Sequence, residues 1–382
     1  MSTSSSPEPH LFATDPAWAD VTPIEQYEGS TAPLAPILYG AVYKDATDYL
    51  RAIVASNEKS PRVLELTEAV VRLNPSHYTA WQYRYETLLA LKGSTPRLIA
   101  KEEDLMDELA IRCLKSYQVW HHRRLLVLLS VERKDGKLAE AEVERVKREL
   151  EFISRSFEED SKNYHTWSYR QWVLSHFFGS SASSSVADND EDEDTIESVW
   201  TKELAWTERM LEKDVRNNSA WHHRFFVVFE RPGARVGEGE IRRELRYTKQ
   251  SIALAPNNAS AWNYLRGVLH RLSIPYASLQ AFVTPYTVVS GDKPGSKDAA
   301  GGEEDEIIDP ENPRPSPGAQ LPCPAALEFL ADVYEKEGER EGVLKAVEIW
   351  KSLANEHDTM RRRYWEHRIR EGIEAISERK SA

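Results

Sequence analysis

Six of the eleven tryptophans in this 382-residue chain stand in one recurring frame. Aligned on the indole, the segments read HYTAWQYRYETLLAL, SYQVWHHRRLLVLLS, NYHTWSYRQWVLSHF, NNSAWHHRFFVVFER, ASAWNYLRGVLHRL and RRYWEHRIREGI, anchored at Trp81, Trp120, Trp167, Trp221, Trp262 and Trp365. An arginine follows three places later in five of them (Arg84, Arg123, Arg170, Arg224, Arg368), and Leu265 takes that slot after Trp262. Successive anchors lie 39, 47, 54, 41 and 103 residues apart. Periods in the twenties to fifties belong to stacked supersecondary units, each of which hides its apolar face only against its neighbours. Such a chain is a repeat array rather than two or three ordinary domains.

Each unit reads as two helices. Asn or Ser stands four positions ahead of the anchor in three units (Ser116, Asn163, Asn217), a residue type that satisfies the first free amides of a helix. Upstream runs a second amphipathic segment. Val143, Val146, Leu150, Ile153 and Phe157 step by 3, 4, 3, 4; Ile241, Leu245, Thr248, Ile252 and Ala255 by 4, 3, 4, 3; Val63, Leu66, Val70 and Leu73 by 3, 4, 3. No comparable stretch alternates with period two. The expected fold is all-α, an alpha-alpha superhelix: a crescent-shaped solenoid of helical hairpins. The anchor rings pack in its core, and the arginine three places on stacks or pairs beside them.

The long gaps have visible causes. Residues 179–195, GSSASSSVADNDEDEDT, are too polar to bury themselves, and removing these seventeen returns the Trp167–Trp221 spacing to 37. A Pro/Gly/acid-rich tract, 284–324, interrupts the last spacing. The expected organisation is a mostly disordered segment 1–35, helical repeats over 36–283 with the acidic insert 179–195, the 284–324 insert, and C-terminal helical hairpins over 325–378.

Composition excludes several functions. The formal net charge is −13, the wrong sign for a surface that displaces counterions from nucleic acid. No run of eighteen apolar residues spans a bilayer, and the start, MSTSSSPEPHLFATDP, has neither the basic region nor the apolar core of a secretory signal. Cys113 and Cys323 are the only cysteines, too few for a disulfide framework or a thiolate-rich zinc site; a reducing cytoplasm is the simplest location, and any metal belongs to His, carboxylates or a partner.

Function therefore lies where units depart from one another. Three carry a cation five places before the anchor: Lys115, Lys162 and Arg216. A cation there opposes the helix dipole, so stability alone does not select it, whereas beside free helix-start amides it suits an oxyanion such as phosphate; a solvated lysine is the plain alternative. His165 opens a helix beside Tyr164 and Lys162, in a polar position from which it can donate to an anion. His121–His122 and His222–His223 point about 100° apart as helix neighbours, so neither pair chelates one ion. No phosphate-cradling glycine loop, nucleophile elbow or zinc-helix motif occurs, and no metal ligands are expected in this chain. The residues leave open a non-catalytic scaffold and a helical subunit that lends part of an active site to a partner.

The frames KSYQVWHHRR, KNYHTWSYRQWV, VRNNSAWHHRFFV and NNASAWNYLRGVL resemble the protein prenyltransferase alpha-subunit repeat family, and the likeness runs from about Trp18 to Arg368. The resemblance implies hairpins wrapped around a beta subunit, that of farnesyltransferase or of geranylgeranyltransferase type I, which holds the catalytic Zn2+. It implies transfer of a prenyl group from farnesyl or geranylgeranyl diphosphate, accompanied by Mg2+, to the cysteine thiol of CaaX proteins. It places Lys115, Tyr164 and His165 at the diphosphate, as the catalytic contribution of this chain, and Gln118, Tyr117 and Asn163 at the peptide, with Gln118 on its terminal carboxylate. The alternatives are a non-catalytic helical-repeat adaptor and the related Rab geranylgeranyltransferase alpha subunit.

Overall fold

The computed structural model describes residues 10–26, 35, 37–91, 96–131, 133–134, 137–138, 140–179, 196–288, 309–337 and 339–381. The chain forms two compact units, Met1–Phe177 and Phe178–Ala382. The first holds α1 (Ala41–Ser56), α2 (Pro61–Leu73), α3 (Tyr78–Ala90), α4 (Pro96–Arg112), α5 (Tyr117–Ser130), α6 (Glu140–Glu159) and α7 (Tyr164–Phe178, whose last residue falls in the second unit). The second holds α8 (Ile196–Lys213), α9 (Asn218–Phe225), α10 (Glu238–Leu254), α11 (Ala259–Arg271), the short α12 (Gln280–Val283), α13 (Pro324–Glu337), α14 (Arg340–Ser352) and α15 (Arg362–Ser381). The all-α expectation holds with one small exception. Arg133–Lys134 and Lys137–Leu138 make a two-residue antiparallel ladder between α5 and α6, too short to show as an alternation in sequence.

Local chemistry sets the boundaries. Pro61, Pro96 and Pro324 stand at the first positions of α2, α4 and α13, where a missing amide hydrogen leaves no bond unmade. α1 stops at Asn57, left-handed with φ 55°, a conformation asparagine tolerates better than most residues. Every Trp-bearing helix of the first five frames begins three residues before its anchor, behind a side-chain cap: His77, Ser116, Asn163, Asn217 or Asn258. Each of these anchors then ties its helix to the preceding turn. Trp81, Trp120, Trp167, Trp221 and Trp262 donate Nε1–H to the carbonyl six residues back, on Pro75, Leu114, Ser161, Val215 and Pro256, at 2.8–3.0 Å. The rings are buried, as core packing requires. Trp365 is buried too but donates instead to the Asp358 carboxylate at 3.1 Å.

The arginine three places past the anchor is the second repeated device, and it both pairs and stacks. Arg84 makes a two-pronged bond to Glu102 of α4, the next hairpin's first helix, at 2.7 and 2.5 Å. Arg123 does the same to Glu149 of α6 (2.6 and 2.9 Å), and Arg224 to Glu244 of α10 (2.7 and 2.9 Å). Arg123 and Arg224 also lie over the rings of Phe152 and Tyr247, with centroids 3.5 and 3.9 Å away. Each glutamate takes a further bond from the ring two past its own hairpin's anchor: His122 Nε2 to Glu102 at 2.7 Å, Tyr169 to Glu149 at 2.8 Å and Tyr264 to Glu244 at 2.8 Å. All three glutamates are buried. A carboxylate with fork and ring donors is the condition under which a charge survives burial. For Glu102, burial alone raises the carboxyl, but the Arg84 charge and the bonds from His122 and Arg84 outweigh it and hold its pKa down at about 2.

Parts of the leading segment and of the Pro/Gly/acid-rich insert pack against the helices where they are described. Within 1–35, residues 10–26 lie on α1 and α2: Phe12 and Trp18 are buried against Tyr49, and Arg62 grips Asp20 at 2.7 and 2.8 Å. Within 284–324, Thr284–Tyr286 is a 3-10 turn, and residues 309–324 are strapped to the second unit. Lys249 donates to the Glu311 carbonyl at 2.8 Å, Asn257 to the Gln320 carbonyl at 3.0 Å, and Tyr286 to the Pro313 carbonyl at 2.7 Å. Two aromatic residues and a few backbone acceptors suffice to fix segments whose average composition is polar. The acidic insert falls, apart from Gly179, outside the described residues, as do 289–308.

Candidate functional site

The candidate residues lie at the starts of α5 and α7. The hairpin turns fix these starts twice, by the indole bonds of Trp120 and Trp167 and by the caps Ser116 and Asn163. The Ser116 hydroxyl also reaches the Pro75 carbonyl at 3.1 Å, joining the start of α5 to the turn before α3. Residues three and two before each anchor are thereby turned outward on rigid ends, a better support than a free loop.

Those outward residues are Tyr117 and Gln118 on α5, and Tyr164 and His165 on α7. Tyr117 and Tyr164 are 66% and 69% exposed, large rings left in the open by a fold that buries most of its aromatics. Tyr117 and His165 meet edge to face, with ring centroids 4.2 Å apart and planes at 85°, while Tyr164 flanks the same imidazole at 5.5 Å. This contact brings the KSYQ and NYH frames into one patch. Lys115 precedes the cap of α5, exposed, and forms no ion pair or hydrogen bond with another described residue, unlike the paired Arg84, Arg123 and Arg224. Burial holds the His165 imidazole below its ordinary pKa, so near pH 7 the ring is neutral and offers one N–H donor and one acceptor. The patch thus presents an unpartnered ammonium, two phenols, a neutral imidazole and the Gln118 amide, a set rich in hydrogen-bond donors.

Asn163 stands apart from the others. It is 3% exposed, and its Oδ1 accepts from the Thr166 amide at 3.1 Å and the Thr166 hydroxyl at 3.2 Å, so it fixes the start of α7 from beneath rather than facing outward. The structure also adds residues that the frame comparison passed over. Tyr78 fills on α3 the slot that Tyr117 and Tyr164 fill on α5 and α7, and is 74% exposed. A cleft of about 480 Å³ between α3 and α5 has Tyr78, Gln82, Tyr117, Gln118 and both His121 and His122 in its lining. The signal for Tyr78 was present in HYTAW, three places before the anchor; the absence of a basic residue ahead of it hid the likeness. Of the paired histidines, His122 is buried on Glu102 and His121 is exposed, so the two point apart as helix geometry demands. Among the described residues no three His, Cys, Asp or Glu side chains gather to hold a metal ion, and no helix is long and apolar enough to cross a membrane.

The protein prenyltransferase alpha subunit repeat matches at residues 60–91, 99–130, 146–177, 200–231 and 241–272. These are the hairpins α2/α3, α4/α5, α6/α7, α8/α9 and α10/α11, whose five anchors share the indole-to-carbonyl bond. The protein farnesyltransferase/geranylgeranyltransferase type-1 subunit alpha of Dictyostelium discoideum is 31% identical over 368 residues, covering 96% of this chain and 95% of its own length. Its counterpart in Candida albicans is 27% identical over 352 residues, covering 92% and 96%. Among solved structures, Candida albicans protein geranylgeranyltransferase-I complexed with GGPP matches with a TM-score of 0.69 and 26% identity, over 92% of this chain and 97% of that one. With hairpins, repeat register and near full-length likeness in agreement, this chain belongs to the family of protein farnesyltransferase/geranylgeranyltransferase type-1 alpha subunits.

Proposed function

We propose that this chain pairs with a farnesyltransferase or a geranylgeranyltransferase type I beta subunit, and that the heterodimer moves a farnesyl or geranylgeranyl group to the cysteine of C-terminal CaaX sequences. In that reaction the thiolate sulfur bonds to C1 of the isoprenoid as the C1–O bond breaks, and the diphosphate leaves with the bonding electrons. Charge grows on the departing oxygens. Lys115, Tyr164 and His165 meet it: a compact ammonium, a phenol O–H and an imidazole N–H, donors whose bonds strengthen as that charge develops and which therefore act on the barrier more than on binding. Gln118 donates its amide N–H to the peptide's terminal carboxylate. Tyr117 and Asn163 support these groups. A Zn2+ that would lower the thiol pKa is assigned to the beta subunit, and Mg2+ to the diphosphate itself.

The observation that supports this reading is the 4.2 Å contact of Tyr117 with His165, which sets the two polar frames in one patch beside an unpaired Lys115. Co-expression with each beta subunit, followed by a prenylation assay, tests it. Lys115→Ala should lower kcat by about 100-fold or more, the usual cost of removing one donor to a developing anion, with peptide binding nearly unchanged. Equal turnover of wild type and variant would refute the assignment.

A further inference from the structure

We infer that Tyr117 is a positioning residue for His165, acting through its ring rather than its hydroxyl. The inference rests on the diphosphate reading of His165 and adds to it a support that reaches across from the preceding hairpin. Three observations carry it. The two rings sit in the edge-to-face arrangement that aromatic pairs favour, at 4.2 Å and 85°. The Tyr117 hydroxyl bonds to no other described residue, so none of the described residues uses that end of the side chain. And Tyr117 remains 66% exposed although the buried tyrosines of the frame, Tyr83, Tyr169 and Tyr264, all have bonded hydroxyls.

His165 needs such a support. It stands in the first turn of α7, where the backbone is fixed by Asn163 but the imidazole has no hydrogen-bond partner among the described residues. Two ring contacts flank it: Tyr164, its own neighbour, at 5.5 Å, and Tyr117, from α5, at 4.2 Å. A donor aimed at a developing anion is effective only if its orientation is set before the charge appears. Removing the Tyr117 ring leaves the imidazole free to rotate and opens it to water.

The test uses the full heterodimer and four variants: Tyr117→Phe, Tyr117→Ala, His165→Ala and the double Tyr117→Ala/His165→Ala. Single-turnover rates are read beside peptide KM and an NMR titration of the His165 ring. Tyr117→Ala should lose about two- to tenfold in rate, the scale of one aromatic pair, and Tyr117→Phe, which keeps the ring, should lose markedly less. The double variant should be no slower than His165→Ala, because the effect passes through that ring. The His165 titration midpoint should rise in Tyr117→Ala and hold in Tyr117→Phe. Equal losses in Phe and Ala, additive losses in the double variant, or a His165 titration untouched by Tyr117→Ala would each overturn the inference. A His165→Ala variant with the wild-type rate would instead overturn the diphosphate reading, and the titration would still decide whether Tyr117 holds the ring.

Discussion

Replacing Glu102 with Gln removes the charge that Arg84 was built around. Arg84 is 4% exposed, and both of its bonds to α4 end on that carboxylate, at 2.7 and 2.5 Å. What remains is the Leu64 carbonyl at 2.5 Å, the Thr67 hydroxyl at 3.1 Å and a longer contact to Glu68 at 4.0 Å. Leaving a buried charge without its partner costs about 3–5 kcal/mol, and the nearby Glu68 places Glu102→Gln toward the lower end. Linkage reaches a similar figure by another route. A fall of the carboxyl from 4.5 to about 2 corresponds to about 3 kcal/mol that favours the folded state above pH 4.5 and is lost as pH falls through 2.

Urea unfolding of wild type and variant in the same assembly should therefore differ by about 3 kcal/mol at pH 7, and the difference should shrink toward zero as pH falls from about 5 to 2, where wild-type Glu102 gains its own proton. The double variant Arg84→Met/Glu102→Leu, which removes both charges, should be within about 1 kcal/mol of wild type. A Glu102→Gln loss below about 1 kcal/mol, or a double variant worse than the single one, would show that the pair is not the clamp between the α2/α3 and α4/α5 hairpins.

Two further outcomes are expected. Gln118→Ala should raise KM for a peptide with a free terminal carboxylate by about 10-fold, the worth of one hydrogen bond to a charged group, and leave a carboxamide-ended peptide unaffected; an equal rise for both would remove Gln118 from the carboxylate. Lys249→Met should release residues 309–324 by deleting the bonds to the Glu311 carbonyl at 2.8 Å and Asn312 at 3.3 Å, seen as faster limited proteolysis within that segment, and unchanged cleavage would mean the other straps suffice.

What was legible beforehand follows from how each device is written. Caps and anchors are local: Ser116, Asn163 and Asn217 stand at fixed offsets from a rare residue, so both helix starts and buried rings could be read directly. The glutamate partners could not, because Glu102, Glu149 and Glu244 each sit in an amphipathic helix where a lone acid looks like part of the solvated face. Their signature is long-range: each precedes by 20 residues the His or Tyr that bonds it. The contacts of the N-terminal segment are hidden in the sequence for the opposite reason. Phe12 and Trp18 are few among polar neighbours, and a compositional average hides two rings that a receptive surface at Tyr49 can bury.

The same frame explains why the candidate site residues gather on only two of five hairpins. Counted from the anchor, the slots at 0, +2 and +3 point inward: 0 and +2 are occupied mainly by bonds within a hairpin and +3 by bonds to the next, so a change there perturbs stability first. Even the lapse at Leu265 conforms: it is buried, and the ion pair moves one place along, to Arg266 with Asp332 of α13, where the regular repeats end. The slots at −3 and −2 face outward and carry no such duty, which leaves them open to selection for a ligand. Across the five hairpins they read Tyr-Thr, Tyr-Gln, Tyr-His, Asn-Ser and Ala-Ser. The second and third pair a tyrosine with a Gln amide or a His imidazole, and these two are joined to each other by the Tyr117–His165 contact. Transplanting Gln and His into the outward slots of α9 and α11 should accordingly leave the fold intact yet build no second site, because no aromatic pair there would hold the donors in place.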